Sequence, residues 1–332
     1  GTTIRFGTAV AALADGRVTL TGDAPLRRRP LGPLVAALQD LGAVATDAGG
    51  FPPVTVGGGL DGGAVSIDVG GSSQFASAVL LAAPYARGDV HLSTTGASAG
   101  AYIDLTVDAM QAWGADVLAQ QGLGWTVTAG VGYTAQDLVV EYDASAAAHL
   151  FGLAVATGGQ VTVTNVTQTI QPDAGLLEVL ARFGATISID GPRVTVTGPE
   201  RPTAAGTVDL ERMPDQVTTV AALAALADGT TTIVGTEVVR GHETDRLTAL
   251  ATELSKVGTS VEERADGLVI DGRTTRGAAS LDTYHDHRLA MAFAALGARV
   301  PDVVINDPGC VAKTFPDFWQ VLVNLGGQVR TR

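Results

Sequence analysis

An acid, two histidines and an arginine lie directly before an apolar stretch in YHDHRLAMAFAALG at 284–297. A helix beginning near Asp286 would point its unpaired backbone N–H groups and the positive end of its dipole toward these side chains. Such a helix end binds anions, and the arginine fork suits carboxylate and phosphate groups. The stretch therefore predicts an anion site in which His287 could also exchange a proton.

Cations and titratable groups recur at the N-termini of other predicted helices. Asp215, Glu243 and His287 are the candidates for proton transfer, which requires titratable groups beside the reacting atoms. Arginine has to supply most of the positive charge, because the chain has only two lysines, Lys256 and Lys313. Gathered together, the candidate cations would create a strongly positive site for small, multiply charged anions. They are Arg5, Arg29, Arg246, Arg288 and Lys313.

Each of these patterns also has a structural interpretation. Taken alone, DHR at 286–288 is more often a helix cap with a hydrogen-bonded histidine, and ETDR at 243–246 is an ordinary capping pattern. RRRP at 27–30 is usually a solvated face, so we assign a binding role to Arg29 and surface positions to Arg27 and Arg28. The sequence shows no metal-ligand spacing, glycine-rich phosphate loop or GxGxxG between a strand and a helix. We therefore predict side-chain chemistry with no metal and no cofactor.

The elements that would position these groups form a repeat of about seventy residues. Five segments share the order apolar helix, strand, polar loop, second helix, an apolar residue followed by glycine and a small residue, and another strand. The glycines of the closing triplets are spaced 72, 70, 74 and 68 residues apart by subtraction. Each is predicted to end a helix in the left-handed conformation. They are Gly42, Gly114, Gly184, Gly258 and Gly326.

The first helix of each repeat is apolar on nearly every face, and the second is amphipathic, as in DRLTALATELSKVG at 245–258. Helices of the first kind are expected to be buried on all sides, which leaves strands for the outer sheets. The predicted fold class is α/β, an inside-out arrangement of two domains. We predict an incomplete domain of two repeats at 1–141, a second of three repeats at 142–332, and an active site in the cleft between them. A sixth repeat is expected before Gly1.

Composition limits the compartment and the partners. The chain has 332 residues, is 46% apolar and 17% charged, and carries a formal net charge of −13. An acidic surface argues against nucleic acid as a partner, and no apolar run reaches the length of a membrane span. A single cysteine, Cys310, fits a reducing compartment. We see no signal peptide and predict a cytoplasmic protein that acts on small molecules.

Several linked motifs resemble those of the 5-enolpyruvylshikimate-3-phosphate synthase family. They occur in the family's order and cover essentially the whole chain: GTTIRF, GDxxLRxRPxxPLxxALxxLGA, SSQFxSAxLLAAP, YIDxT, MPD, RxxETDRL, DHRxAMAFAxLG and DPGCVxKTFPDFW. The resemblance implies two domains of three βαβαββ repeats, the enolpyruvyl transferase fold, with five of six repeats present here. It also implies transfer of the enolpyruvyl group of phosphoenolpyruvate to the 5-hydroxyl of shikimate 3-phosphate in the shikimate pathway.

The resemblance also implies roles for individual residues. Asp215 would be the base for the attacking hydroxyl and Glu243 the acid for the methylene carbon, with His287 a third catalytic candidate. The groups implied to bind shikimate 3-phosphate are Ser72, Ser73, Gln74, Tyr102, Asp215 and His242. Those implied to bind phosphoenolpyruvate are Gly1, Arg29, Gln74, Arg246, Arg288 and Lys313.

The chain departs from the family pattern at three places. The N-terminal PGSKS-type motif is not in this sequence, His242 stands where the family often has a lysine, and Ala99 stands where a serine is usual. One alternative is therefore an inactive fragment that binds phosphorylated ligands or a partner chain. Such a chain could be a monomer or could associate through the face that the missing repeat would cover.

A second alternative is the sibling transferase that acts on UDP-N-acetylglucosamine. That family uses a loop cysteine as an acid, whereas we predict a structural role for Cys310. SSQF, DHR and KTFPDFW argue against this alternative.

Overall fold

The computed structural model describes residues 1–96, 100–120, 122, 124–166, 169–275 and 277–330. The chain divides into two compact units, Gly1–Val139 and Val140–Arg332. This division lies two residues before the predicted domain boundary.

The first unit contains two sheets and four α-helices among its described residues. The helices are α1 (Thr2–Ala12), α2 (Gly32–Asp40), α3 (Gln74–Ala82) and α4 (Ala101–Ala112). The strands are β1 (Val18–Leu20), β2 (Val44–Thr46), β3 (Val54–Gly57), β4 (Gly63–Asp68), β5 (Val90–Thr95), β6 (Val117–Gln120) and β7 (Gly124–Val127). One sheet has the order β1-β3-β2 and is antiparallel; the other is β4-β5-β7-β6, in which only β4 and β5 are parallel.

The second unit contains three sheets and six α-helices among its described residues. The helices are α5 (Ala144–Thr157), α6 (Leu176–Arg182), α7 (Val217–Leu226), α8 (Arg246–Lys256), α9 (His287–Gly297) and α10 (Phe318–Asn324). The strands are β8 (Gln160–Thr164), β9 (Thr186–Asp190), β10 (Arg193–Thr197), β11 (Thr207–Asp209), β12 (Thr230–Val234), β13 (Ser260–Arg264), β14 (Gly267–Asp271), β15 (Ala279–Leu281) and β16 (Val303–Ile305). The sheets have the orders β8-β10-β9, β11-β12-β14-β13 and β15-β16.

The repeat predicted from the closing glycines is confirmed. All five adopt positive φ angles, from +83° to +97°, directly after the helices that they end. L-residues with a Cβ rarely adopt this conformation, so glycine ends each helix and turns the chain into the next strand at little conformational cost. The two four-stranded sheets show the full repeat pattern, a parallel pair followed by two antiparallel strands.

Apolar helices fill the core of the second unit. Nine of the ten residues of α7 are buried, and α7 packs against both α5 and α9. Their burial removes apolar surface from water, which is the main favourable term in folding. The N-termini of α5, α7 and α9 therefore belong to helices that pack against one another in the core. Within the described ranges, no helix is both long and apolar enough to cross a bilayer.

The prediction that every first helix is buried on all sides is wrong for α1. This helix packs along α3 through residues such as Ile4 and Ala9, but Val10 on another side is 56% exposed. An alanine-rich helix offers few polar side chains to mark the side that faces solvent, so its sequence does not reveal the exposed face.

Candidate active site

The second unit brings together the predicted groups from four segments. Asp215 lies in the 3-10 turn before α7, and Arg246 is the first residue of α8. Arg288 lies in the first turn of α9, and Lys313 ends the 3-10 helix at Pro308–Lys313. Glu243 precedes α8 by three residues. All of them meet in one hydrogen-bonded network of charged side chains.

Arg246 is the centre of this network. Its side chain is 1% exposed and binds three carboxylates: Asp215 at 2.6 Å, Glu243 at 2.9 Å and Asp286 at 2.7 Å. Burial alone would lower the pKa of Arg246, but the neighbouring carboxylates raise it well above its usual value. A buried guanidinium of this kind is stable only while its partners stay in place.

Asp215 is shared between two arginines and a histidine. Asp215 Oδ2 lies 3.0 Å from Arg288 Nη2, and Asp215 Oδ1 lies 3.2 Å from His242 Nδ1. Burial alone would raise the pKa of Asp215, but Arg288, Arg246 and the His242 hydrogen bond hold it well below its usual value. In this state Asp215 is ionised and is a weak base.

His242 stands at the position where the family often has a lysine. In the tautomer that carries its proton on Nδ1, the ring can donate to Asp215. In the other tautomer, Nδ1 can accept from Arg246 Nη1, which lies 3.1 Å away. A neutral imidazole can therefore take part in this network through either form, which a lysine ammonium cannot do.

Glu243 joins the network to the last cation. One oxygen accepts from Arg246 and the other contacts Lys313 Nζ closely. The cations thus have carboxylate partners from the protein itself. A phosphate or carboxylate ligand would compete for Lys313, Arg288 and Arg246 with these internal acids.

Local capping explains why these groups reach the helix N-termini. The Asp245 carboxylate accepts from the backbone N–H of Thr248 at 3.1 Å and begins α8, which places Arg246 at its first position. Asp286 does the same for α9 by accepting from the N–H of Arg288 at 2.9 Å. Both acids satisfy helix N–H groups that have no partner within the helix.

Arg240 fixes the segment before α8. Its guanidinium binds Asp245 and Glu263 and also donates to the carbonyl oxygens of Arg264 and Ala265 in the β13–β14 turn. Five donors in a planar fork allow one side chain to make all these bonds. These bonds of Arg240 hold the segment 241–245, which contains Glu243.

His287 is buried at the start of α9 and lies beside the network. Its Nδ1 is 3.8 Å from Asp286 Oδ1. Burial lowers the pKa of His287 to about 4; Asp286 opposes this shift, and Arg288 and Lys313 add to it. The imidazole is therefore neutral at physiological pH and is not one of the site's cations.

We expect His287 to make the protein less stable in mild acid. Because its pKa is lower in the folded state than in the unfolded state, the unfolded chain takes up a proton first as pH falls below 6.5. At pH 4.5 this proton uptake should cost about 2 kcal/mol of unfolding free energy in the wild type. His287→Gln should remove that part of the pH dependence, measured by denaturant unfolding at pH 7.0 and 4.5.

The matched control is His91→Gln, which changes an exposed imidazole on β5. The free energy of unfolding of His91→Gln should decrease between pH 7.0 and pH 4.5 by as much as that of the wild type. Equal slopes for the wild type and His287→Gln would contradict the low pKa of His287.

In the first unit, Arg5 organises the SSQ motif. Its Nη1 donates to Ser72 Oγ at 2.9 Å and to Gln74 Oε1 at 2.8 Å, and its guanidinium lies 5.0 Å from the centroid of the Phe75 ring. Gln74 in turn donates to Thr2 Oγ1 at 3.0 Å. The arginine is buried, so two of the three predicted motif residues are fixed by one rigid side chain.

The other predicted residues of this unit lie on several elements. Ser73 is the residue before α3, and Tyr102 lies in the first turn of α4, which packs on α3. Arg29 lies against Gly1: a Cβ built on Gly1 would be 2.5 Å from an Arg29 guanidinium nitrogen. Arg27 and Arg28 are exposed, as predicted. Ala99 lies outside the described residues.

His149, in α5, was not among the residues predicted from the sequence. It is 3% exposed, and its Nδ1 lies 3.2 Å from Thr219 Oγ1 of α7. Burial lowers its pKa well below the usual value, and Arg288, His287 and Arg246 add to the shift. A lone histidine in the apolar stretch AHLFGLAVA was the available signal. Among the described residues, no group of three His, Cys, Asp or Glu side chains could hold a metal ion.

Cys310 lies in the 3-10 helix 308–313. Its side chain packs beside a small apolar cluster that includes Val311 and Phe318. Burial raises the pKa of its thiol, which disfavours the reactive thiolate. These features support the structural role predicted for Cys310.

Solved structures define the class of protein to which this fold belongs. An EPSP synthase structure from Acinetobacter baumannii matches with a TM-score of 0.79 at 25% identity, over 98% of this chain and 77% of that chain. A second structure of the Acinetobacter baumannii enzyme matches with a TM-score of 0.76 over 100% and 78% of the two chains. The fold is the inside-out α/β fold of the enolpyruvyl transferases, as predicted.

Sequence comparison then identifies the family. The sequence model of the family EPSP synthase (3-phosphoshikimate 1-carboxyvinyltransferase) matches residues 1–322 of this chain. Proteins named 3-phosphoshikimate 1-carboxyvinyltransferase from Methanoculleus marisnigri and Trichormus variabilis are 40% and 39% identical to it. They cover 98% and 99% of this chain, which in turn spans 78% of each of them. The chain belongs to the EPSP synthase family, which confirms the resemblance found in its motifs.

Proposed function

We propose that this chain transfers the carboxyvinyl group of phosphoenolpyruvate to the 5-hydroxyl of shikimate 3-phosphate and releases inorganic phosphate. Membership of the EPSP synthase family supports this reaction. The structural observation that supports it best is the network of Arg246, Arg288 and Lys313 with Asp215 and Glu243. It puts cations for a phosphorylated carboxylate beside two carboxylates able to move protons.

Each of the two carboxylates would transfer a proton in this reaction. The 5-hydroxyl oxygen attacks C2 of phosphoenolpyruvate and gives its proton to Asp215, while C3 receives a proton from Glu243, which takes that proton up from solvent when the bound anion engages Arg246 and Lys313. The tetrahedral intermediate then returns a proton from C3 to the Glu243 carboxylate as its C–O bond to phosphate breaks, which yields the enol ether and inorganic phosphate. Positioned acids and bases of this kind accelerate reactions by roughly 10²–10⁴-fold each.

The low pKa of Asp215 sets a condition on this mechanism. A base works best when its pKa lies near the operating pH, whereas two arginines hold Asp215 far below it. Phosphoenolpyruvate brings negative charge to Arg288 and Arg246, which offsets their effect on the carboxylate. We therefore propose that binding of the anion raises the pKa of Asp215 and so activates the base.

We propose that the remaining predicted residues bind the substrates. Ser72, Ser73, Gln74 and Tyr102, with His242, would hold shikimate 3-phosphate. Gly1, Arg29 and Gln74 would join Arg246, Arg288 and Lys313 in holding phosphoenolpyruvate. His287 would act as a neutral imidazole. The acidic net charge disfavours nucleic acid as a partner, and the single cysteine supports the proposed cytoplasmic location.

The test is release of inorganic phosphate by the chain with both substrates present and with each omitted in turn. We expect release only when both are present, and none when UDP-N-acetylglucosamine replaces shikimate 3-phosphate. Release without shikimate 3-phosphate would indicate a phosphatase. No release with both substrates would overturn the proposed activity for this chain.

Arg5→Lys should weaken the binding of shikimate 3-phosphate. Lysine keeps the charge and loses the fork that holds Ser72 and Gln74 together. A lost hydrogen bond to a charged group corresponds to about a 10-fold higher Kd, which isothermal titration would measure. Arg17→Lys, at an exposed position, is the control and should bind as the wild type does. An unchanged Kd in Arg5→Lys would show that Arg5 does not organise this site.

A further inference from the structure

The segment 282–286 connects β15 to α9 and has an unusual backbone. Tyr284 and His285 adopt positive φ angles of 52° and 59° in succession. Residues with a Cβ rarely adopt this left-handed conformation, and two in a row are unfavourable unless other contacts hold them. The segment ends at Asp286, which is fully buried and binds both Arg246 and the N–H of Arg288.

Glu253 of α8 supplies contacts that hold this segment. It is 0% exposed, and its carboxylate accepts from the Tyr284 hydroxyl at 2.7 Å and from the N–H of Asp282 at 2.9 Å. Lys256 Nζ lies 2.7 Å away and neutralises the buried charge. Burial, with the charge of Glu253, raises the pKa of Tyr284 to about 12, so its hydroxyl keeps the proton that it donates.

Lys256 adds a cation to this support. Its side chain is 36% exposed, and its ammonium binds both Glu253 and Asp282. Burial alone would lower the pKa of Lys256, and its hydrogen bonds to these two acids raise it. One of the two lysines of the chain therefore helps to hold the segment 282–286.

Helix α8 holds both ends of the segment. Arg246 and Glu253 are seven residues apart, which is about two helical turns and brings them to the same face. Arg246 binds Asp286 at the end of the segment, and Glu253 binds Asp282 and Tyr284 at its beginning. The same helix face therefore joins the support to the guanidinium at the centre of the candidate site.

We propose that Glu253 is a positioning residue for phosphoenolpyruvate binding, which rests on the proposed function. It fixes the left-handed turn at Tyr284 so that Asp286 can hold Arg246 and Arg288 in place. Glu253 itself touches no substrate. Its loss should therefore act on the affinity for the anion that these two arginines bind.

The test compares Glu253→Gln and Tyr284→Phe with the wild type in steady-state kinetics for each substrate. Both variants should raise KM for phosphoenolpyruvate about 10-fold and leave KM for shikimate 3-phosphate within about 2-fold. Because the two residues share one hydrogen bond, the double variant should be no worse than the more impaired single variant. The control is Tyr133→Phe, which removes a hydroxyl that donates to the Leu81 carbonyl oxygen in the other unit.

Two kinetic results would overturn the positioning role. One is a fall in kcat with unchanged KM values, as expected from a smaller folded fraction. The other is an equal rise of KM for phosphoenolpyruvate in Tyr133→Phe.

Amide hydrogen exchange of the substrate-free proteins separates this inference from the proposed function. Faster exchange confined to 282–288 in Tyr284→Phe would support the holding role even if the wild type released no phosphate. Unchanged exchange there, or a uniform increase across α8 and α9, would overturn it. Absence of turnover in the wild type would count against the proposed function alone.

Discussion

Replacing Arg246 by methionine is expected to lower the free energy of unfolding by about 3–5 kcal/mol and to abolish measurable turnover. The substitution keeps a long side chain and leaves Asp215, Glu243 and Asp286 without the guanidinium that all three bind. An uncompensated buried charge is the most unfavourable product of such a change. Urea unfolding at pH 7 and the phosphate-release assay would measure both effects.

The loss of stability in Arg246→Met should depend on pH in a definite direction. In the wild type the pKa of Asp215 is depressed, so the stability that it contributes is present above pH 4 and declines as pH falls further. The gap between the wild type and the variant should therefore narrow in acid. Arg212→Met, at an exposed position, should be as stable as the wild type at each pH. A gap that stays constant down to pH 3.5 would contradict the paired-carboxylate explanation.

Asp215→Asn is expected to lower kcat by about 10³-fold, within the range for loss of a general base. Asparagine has nearly the same shape, but its single oxygen can accept from only one of the two arginines, and it cannot take the proton of the 5-hydroxyl. The variant should therefore fold and should bind phosphoenolpyruvate to within about 10-fold of the wild type. Single-turnover phosphate release would measure the chemical step directly.

Asp190→Asn, an exposed acid on β9, is the matched control and should turn over normally. If Asp215→Asn kept more than a tenth of the wild-type kcat, another group would have to be the base. Glu243→Gln in the same assay would then test the other carboxylate of the network.

The helix N-termini could be predicted from sequence because local signals fix them. Asp245 and Asp286 are capping residues at the predicted positions, and the glycine of each closing triplet ends a helix as expected. These features depend on a few neighbouring residues, and their periodic recurrence showed that they belong to one architecture.

The pairing of the side chains could not be predicted, because it depends on the packing of distant elements. Arg246 and Asp286 are 40 residues apart, and nothing in either motif indicates that the acid binds the arginine. Glu253 is a charged residue of an amphipathic helix and is nevertheless fully buried, which its neighbours in the sequence do not indicate. The prediction of full burial failed at Val10 for the same reason, since its exposure depends on which neighbours cover α1.

The ion-pair network has equal numbers of charges of each sign. Arg246, Arg288 and Lys313 face Asp215, Glu243 and Asp286, three cations against three anions. A phosphorylated carboxylate that enters this balanced set brings an excess of negative charge, which favours uptake of protons from solvent. The heat of binding should then change with the ionisation enthalpy of the buffer, and the slope of that dependence would count the protons that accompany each bound anion.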